Sequence, residues 1–209
     1  DTAAPAKNKL PSLPFKPRVV GTYRLLRQEV AEQHGGFYSA QEFDLAPILN
    51  THHNLRFLEL GRSCVEPAYR DKRTVELLWH GIWAYVRKYK IDVMFGCASF
   101  AGTDPETLAL PLSFLHHHCL AKPEWLAQAQ KSRAVALNHL PADQVELKAA
   151  MQKMPPLIKA YMRVGARFGA EAVIDHQFGT IDVLVMLPVS DIHPKYLGYF
   201  GSEGHRYAA

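Results

Sequence analysis

The sequence predicts a mixed α/β domain built on one sheet, and two observations carry that expectation. Leu55 to Val65, Ile91 to Phe100 and Ile181 to Leu187 are apolar runs suited to strands. Between the first two, Val75, Leu78, Ile82, Tyr85, Val86 and Tyr89 recur at helical spacing, so one face of that helix is expected to lie on the sheet. A strand, a helix and a strand in succession make a parallel pair through a right-handed crossover.

The elements follow in order. Residues 1–17, rich in Ala, Pro and Lys and without the apolar centre of a secretory signal, read as an exposed loop or tail. The folded domain is expected over residues 18–190. Val19 to Leu26 opens it as a strand, Gly35-Gly36 marks a turn, and Ser39-Ala40-Gln41-Glu42 fits a capping box at the start of a short helix. The helix from Thr74 should end near Lys90, and the strand after it is closed by Gly102 and Thr103-Asp104-Pro105. Residues 105–154 are expected to be a largely helical insertion, with Leu108, Leu112, Leu115 and Trp125 buried. Pro155-Pro156 starts a helix through Tyr161 to Val164, and residues 191–209 form a tail without a usable period.

Composition narrows the class. The chain has 209 residues, 48% hydrophobic and 21% charged, enough for one well-buried core and short for two. No apolar run approaches the roughly 20 residues needed to span a bilayer; Val183 to Leu187 is stopped at once by Pro188. Cys64, Cys97 and Cys119 are odd in number and show no paired spacing, so reduced, buried thiols and a cytoplasmic location are expected. The net charge of +4 is compatible with an acidic partner protein or an anionic membrane surface and decides neither; no nucleic-acid partner is expected. His116-His117-His118 beside Cys119 invites a zinc reading, but adjacent helical side chains point about 100° apart and cannot converge, so no metal is expected.

The stretch from Leu58 to Thr74 carries the chemistry. An apolar strand bearing Glu59 runs through a basic turn into a helix, whose free N–H groups, backed by Arg70, Lys72 and Arg73, could seat a phosphate. The plainer alternatives are a solvated turn, and a Glu59 neutralised by Arg62 or Arg24. Arg87, Lys88 and Lys90 offset the dipole at the helix end and are not read as a site.

Several ordered blocks carry a family resemblance: Val19-Val20-Gly21-Thr22-Tyr23-Arg24, Phe37-Tyr38-Ser39-Ala40-Gln41-Glu42-Phe43-Asp44, Glu59-Leu60-Gly61-Arg62-Ser63-Cys64-Val65, Phe95-Gly96-Cys97-Ala98-Ser99-Phe100, the segment from Pro155 to Ala166, and Asp175-His176-Gln177-Phe178-Gly179-Thr180-Ile181-Asp182. The chain resembles the ornithine-lipid-type N-acyltransferases of the GNAT superfamily. That resemblance implies a GNAT-like fold in which Leu58 to Val65 and Val93 to Phe100 splay around the thioester arm of an acyl donor. Members of the family begin with a strand and two helices ahead of the Val-Gly-Thr-Tyr-Arg strand, so the N-terminal elements of the fold are expected to be missing here. Those elements usually help wall the acceptor pocket.

The resemblance also implies roles. Glu59 would be the base and Arg62 its partner, a pairing shared with the acyl-homoserine-lactone synthases; sharing a site requires a bulge, because positions three apart on a regular strand face opposite ways. Val65, Arg70, Asp71, Lys72, Arg73 and Thr74 would bind the donor phosphopantetheine. Arg24, Glu42, Asp44, Ser99, Asp175 and His176 would bind the acceptor, while Asp182 is read as holding the last strand. The insertion is either a wall for the acyl chain or an extra packed layer. The implied reaction moves a 3-hydroxy fatty acyl group from acyl carrier protein to the α-amine of ornithine, giving lyso-ornithine lipid, with no permanently bound cofactor and with peripheral contact at the inner membrane. The alternatives are another amino-acid acceptor such as tyrosine or glutamine, an acyl-CoA donor, or a non-catalytic fragment that binds acyl carrier protein.

Overall fold

A computed structural model describes residues 18–193 together with 195 and 196; most of the expected terminal tails, 1–17 and 191–209, lie outside them. The elements are β1 (Gly21–Arg27), α1 (Gln28–Gln33), β2 (Phe43–Asp44), α2 (Ala46–Thr51), β3 (Phe57–Val65), α3 (Lys72–Tyr89), β4 (Val93–Ala101), α4 (Ala109–Cys119), β5 (Gln128–Ala129), β6 (Ala134–Ala136), α5 (Leu147–Lys153), α6 (Pro156–Val164), β7 (Arg167–Asp175) and β8 (Thr180–Pro188). Six strands form one sheet in the order β1-β3-β4-β8-β7-β6, and β2 pairs with β5 apart from it. Strands β3 and β4 run parallel through the α3 crossover, as expected, and the other ladders are antiparallel.

Strand alternation explains why the central runs are apolar throughout: both faces of the sheet are covered. Leu58, Leu60, Met94, Ala98, Phe100 and Val183 point to the side of α3, α4 and α6, where Trp79, Ile82, Leu112, Leu115 and Ile158 complete one core. The residues between them, Phe57, Val93, Phe95, Leu184 and Met186, meet Phe37, Phe43, Ile48 and Trp125 in a second core. Helix α3 is started by the Asp71 carboxylate, which accepts the Thr74 N–H at 2.7 Å, and stopped by Lys90 in the left-handed conformation, φ 51°.

Several expectations change. The helix begins at Lys72 rather than Thr74, and Val75 is exposed, so the buried stripe starts at Trp79. Residues 105–154 are only partly helical: α4 and α5 are joined by β5, which pairs with β2, and by β6, which extends the edge of the main sheet beside β7. The Ser39 capping box does not form. Tyr38–Gln41 is a single 3-10 turn without a side-chain cap, because the Ser39 hydroxyl binds Glu59 instead. Strand β7 was not anticipated; its Gly169, Ala170, Glu171 and Ala172 weaken the strand signal that β8 displays. Of the three free thiols, Cys119 is buried, Cys97 half-buried, and Cys64 exposed, against expectation.

A methyl group on Gly96 would sit 2.2 Å from the Leu60 carbonyl oxygen and 3.3 Å from its carbon, both rigid backbone. Gly96→Ala is therefore expected to cost about 2 kcal/mol or more, the scale of overpacking in a tight core, in urea-unfolding midpoints with an unchanged slope.

Candidate active site

Strands β3 and β4 pair at only three positions, Phe57↔Val93, Leu58↔Met94 and Glu59↔Phe95, and then separate. The cause lies on the other edge of β3. Its register with β1 shifts between Thr22↔Cys64 and Arg24↔Gly61, so Arg62 and Ser63 together oppose Tyr23. That bulge, with Arg62 at φ 52°, turns β3 away, while β4 stays straight along nine pairs with β8. Between the diverged halves opens a cleft of about 490 Å³, bounded by Leu60 to Ser63 on one side and Cys97 to Ser99 on the other.

Registers decide which side chains meet there. Ser99 lies opposite Asp182, and Asp175 opposite Thr180, so these four share a face with Cys97 and Glu59. Moving along that face, the core residues Phe57 and Phe95 give way to a polar wall.

Glu59 is 1% exposed and fully bonded. One oxygen accepts the Ser39 N–H and hydroxyl, both at 2.6 Å; the other accepts the Tyr38 N–H at 3.1 Å and the Arg24 guanidinium at 2.9 Å. Two donors on each oxygen use up the acceptor sites of a carboxylate. In this geometry Glu59 anchors Arg24 and the Tyr38–Gln41 turn. Arg24 and Arg62 lie 5.0 and 5.2 Å from the Tyr38 ring, and Arg62 also faces Phe178 at 5.9 Å.

A second acidic group stands beside it. Oxygens of Glu42, Asp175 and Asp182 all lie within 4.8 Å of one another. Burial raises the Glu42 carboxyl above its ordinary range, and the negative charges of Asp182 and Asp175 add to the effect. Asp182 is raised by burial too, with the neighbouring Ser99 and Thr180 hydroxyls acting against the shift. Burial pushes the Cys97 thiol well up, so it stands in the cleft as a neutral donor to Ser39 rather than as a thiolate nucleophile.

The sequence matches the acetyltransferase (GNAT) domain family over residues 12–80. It is 57% identical over 189 residues to the L-ornithine N(alpha)-acyltransferase of Agrobacterium fabrum, a match covering 90% of this chain and 64% of that protein. With the enzymes of that name from Brucella abortus and Rhodobacter capsulatus it shares 51% identity over 207 residues and 41% over 187, covering 99% and 88% of this chain and 71% and 69% of theirs. This chain belongs to the L-ornithine N(alpha)-acyltransferase family. It spans about two thirds of the length of these relatives, from 64 to 71%. No solved structure matches the chain.

Within the family framework, the cleft gathers Arg24, Glu42, Glu59, Arg62, Ser99 and Asp175 from the expected set. Asp44 lies elsewhere: it is exposed, and its carboxylate caps α2 through the Ala46 N–H at 3.1 Å. His176 is exposed in the β7–β8 turn and does not line the cleft. Nor does any residue of 105–154, so the insertion packs as a layer and does not wall this cleft.

The residues expected to hold phosphopantetheine follow the end of β3, with Val65 and Thr74 half-buried and Arg70 to Arg73 exposed. Asp71 takes the Thr74 N–H, which makes it a helix cap rather than a phosphate ligand, and leaves that N–H unavailable. Arg70 Nε donates to the Val65 carbonyl at 3.0 Å, and Lys72 reaches Glu76 at 3.4 Å.

Sequence reasoning missed Tyr38, Ser39 and Tyr161, and gave Asp182 only a structural part. A signal existed for Asp182: it and Asp175 flank a turn closed by Gly179, φ 66°, and hairpin alternation puts both on one face. Replacing Glu59 by Gln presents an amide NH2 to N–H and O–H donors. The expected loss is about 2 kcal/mol, the scale of hydrogen bonds to a buried charge, together with faster proteolysis between Gly36 and Phe43; denaturation curves and limited proteolysis read both.

Proposed function

We propose that the chain transfers a 3-hydroxy fatty acyl group from the phosphopantetheine thioester of acyl carrier protein to the α-amine of ornithine, forming lyso-ornithine lipid. The observation that carries this reading is the parting of β3 and β4 after Glu59 and Phe95, which opens a cleft whose far wall holds buried carboxylates. Beyond that point the two facing backbone edges make no ladder bonds to each other, and the extended pantetheine arm lies along them. The names of the relatives supply the acceptor.

Each charged part of an amino acid finds a complement. Arg24 is committed to Glu59, whereas among the described residues no carboxylate lies within ion-pair distance of Arg62. Arg62, held over Tyr38 and Phe178, receives the acceptor carboxylate, and the acids across the cleft attract the ammonium. Behind the gap, Tyr161 lines a narrow space with Leu60, Gly96 and Cys97. Burial holds its phenol well above the ordinary range, so it stays protonated and serves as the acid for the departing thiolate; the Tyr23 hydroxyl, 3.4 Å away, can replenish it.

The mouth of the cleft favours carrier protein over CoA. Tyr69, Val75 and Leu77 are 40, 37 and 44% exposed beside Arg70, Lys72 and Arg73, an apolar patch edged with cations that suits an acidic protein surface. The exposed Asp71 carboxylate at the helix start opposes the extra phosphates of a nucleotide. Among the described residues no helix is long and apolar enough to cross a membrane; a single-chain lipid product partitions into the bilayer, and peripheral contact of the chain with the membrane surface fits its release there.

Incubation with 3-hydroxyacyl carrier protein and a panel of amino acids, followed by mass spectrometry of the lipids, tests the reaction: product is expected with ornithine, and carrier binding without any product overturns the reading. Tyr161→Phe is expected to lower kcat roughly 100-fold at unchanged KM, within the usual range for losing a general acid. Reversing Arg70, Lys72 and Arg73 to Glu should raise KM for the carrier protein and flatten its salt dependence, as steady-state assays over a salt series would show.

A further inference from the structure

The carboxylates of Glu42, Asp175 and Asp182 form a seat that the neighbouring side chains leave unfilled. Glu42 and Asp182 are 4 and 7% exposed, yet among the described residues Glu42 Oε2 and Asp182 Oδ1 have no hydrogen-bond partner. Asp175 Oδ1 is spent on the N–H groups of Gln177 and Phe178, at 2.8 and 3.0 Å. Cys97 contacts Glu42 from β4, and Ser99 and Thr180 contact Asp182 from β4 and β8. The nearby cation, Arg133, sends its guanidinium to the Gln41 carbonyl at 2.9 Å rather than to a carboxylate. Arg24 is bound to Glu59, and Arg62 lies over the aromatic rings. Buried, crowded and unpaired carboxylates of one sign are stable only with a cation or a proton among them.

The dimensions suit a primary ammonium. Three N–H···O hydrogen bonds in tetrahedral directions, each about 2.8 Å from nitrogen to oxygen, place their acceptors about 4.6 Å apart, close to the spread of this cluster. We propose that Glu42, Asp182 and Asp175 cradle the reacting α-ammonium of the acceptor, and that the Glu42–Asp182 pair is the base that takes its proton. This rests on the acyl-transfer reading above and moves the base from Glu59 to these acids.

The step balances as follows. The ammonium gives one proton to the cluster; the neutral nitrogen attacks the thioester carbon, the N–C bond forms and the C–S bond breaks. The thiolate takes the Tyr161 proton, and the second proton released by nitrogen restores that phenol. The cluster then returns its own proton to solvent, leaving amide, thiol and one released proton. Raised carboxyls suit this part, since a base closer to the working pH holds a proton more readily. The proton belongs to the coupled pair rather than to either residue.

Linkage gives a second handle. Groups whose folded pKa is raised stabilise the fold below their unfolded values, and that contribution is lost as pH climbs through the folded ones. Glu42→Gln and Asp182→Asn should therefore melt at higher temperature than the natural chain at neutral pH, with the difference vanishing in acid.

The kinetic test uses ornithine and hydroxylamine, a weakly basic amine already neutral at the assay pH, with 3-hydroxyacyl carrier protein as donor. Both variants are expected to lose about 100-fold in kcat with ornithine while acylating hydroxylamine at close to the natural rate. Near-full turnover of ornithine by the variants, equal loss with both nucleophiles in folded protein, or a chelator-sensitive activity restored by a divalent cation each overturns the proposal. If the natural chain acylates neither nucleophile, the acyl-transfer reading itself fails, and the melting comparison still decides whether the acids repel one another in the empty cleft.

Discussion

The close approach of the Leu60 carbonyl to Gly96 is the constraint on which the cleft depends. It comes one step after the last parallel pair, where the bulge at Arg62 and Ser63 pulls β3 toward β1 and off the line of β4. Glycine alone admits that carbonyl, because any Cβ would collide with it. The bulge and the glycine thus act together: one turns the strand, the other lets the strands part without a void at the fork. A regular β3 would continue the ladder and fill the sheet edge that the proposed reaction assigns to the thioester arm.

Glu59 secures the same region electrostatically. A carboxylate this deeply buried is tolerated only if its bonds offset its lost hydration, and four donors from three residues do so. Those donors come from β1 and from the turn over the second core, so folding of the turn and neutralisation of the charge are one event. The result is a fixed wall in which two guanidinium groups, those of Arg24 and Arg62, lie over the Tyr38 ring. Contrast within the cleft is informative. Glu59, with every acceptor site used, and Glu42 and Asp182, each with one unpartnered oxygen among the described residues, line the same cleft, and the difference in their partners separates a structural acid from those assigned to the proposed chemistry.

The central order of the fold was legible because periodicity is a local signal: strand, helix and strand from Leu55 to Phe100 carry alternation and helical spacing that need no distant partner. The bulge was legible only as a requirement, from Glu59 and Arg62 standing three apart. What remained hidden depends on pairing between remote strands. Nothing local tells that β8 inserts between β4 and β7, and so Ser99, Asp182 and Asp175 fall beside one another only in the folded sheet. Ser39 misled for a related reason. Its spacing to Glu42 fits a capping box, but a buried carboxylate 20 residues on competes better for its hydroxyl and N–H than the turn's own backbone does. Asp71 shows the converse, a residue beside cations that serves its own helix.

Local and global demands part company at the acids. The hydrophobic face that binds Phe57, Phe95 and Met186 to the second core would be more stable if it continued to the end of the sheet, with apolar side chains at 42, 175 and 182. Instead three carboxylates crowd that end, and burial together with repulsion from the neighbouring acids disfavours the ionised forms of Glu42 and Asp182. Repulsion of this kind falls when an ammonium enters, so part of what folding loses there is regained on binding, and the gain depends on the ligand's charge. A neutral amine would recover none of it. On the proposed reading, the same arrangement that weakens the ligand-free cleft would favour a cationic acceptor and supply the group that removes its proton, joining selection and activation in one cluster.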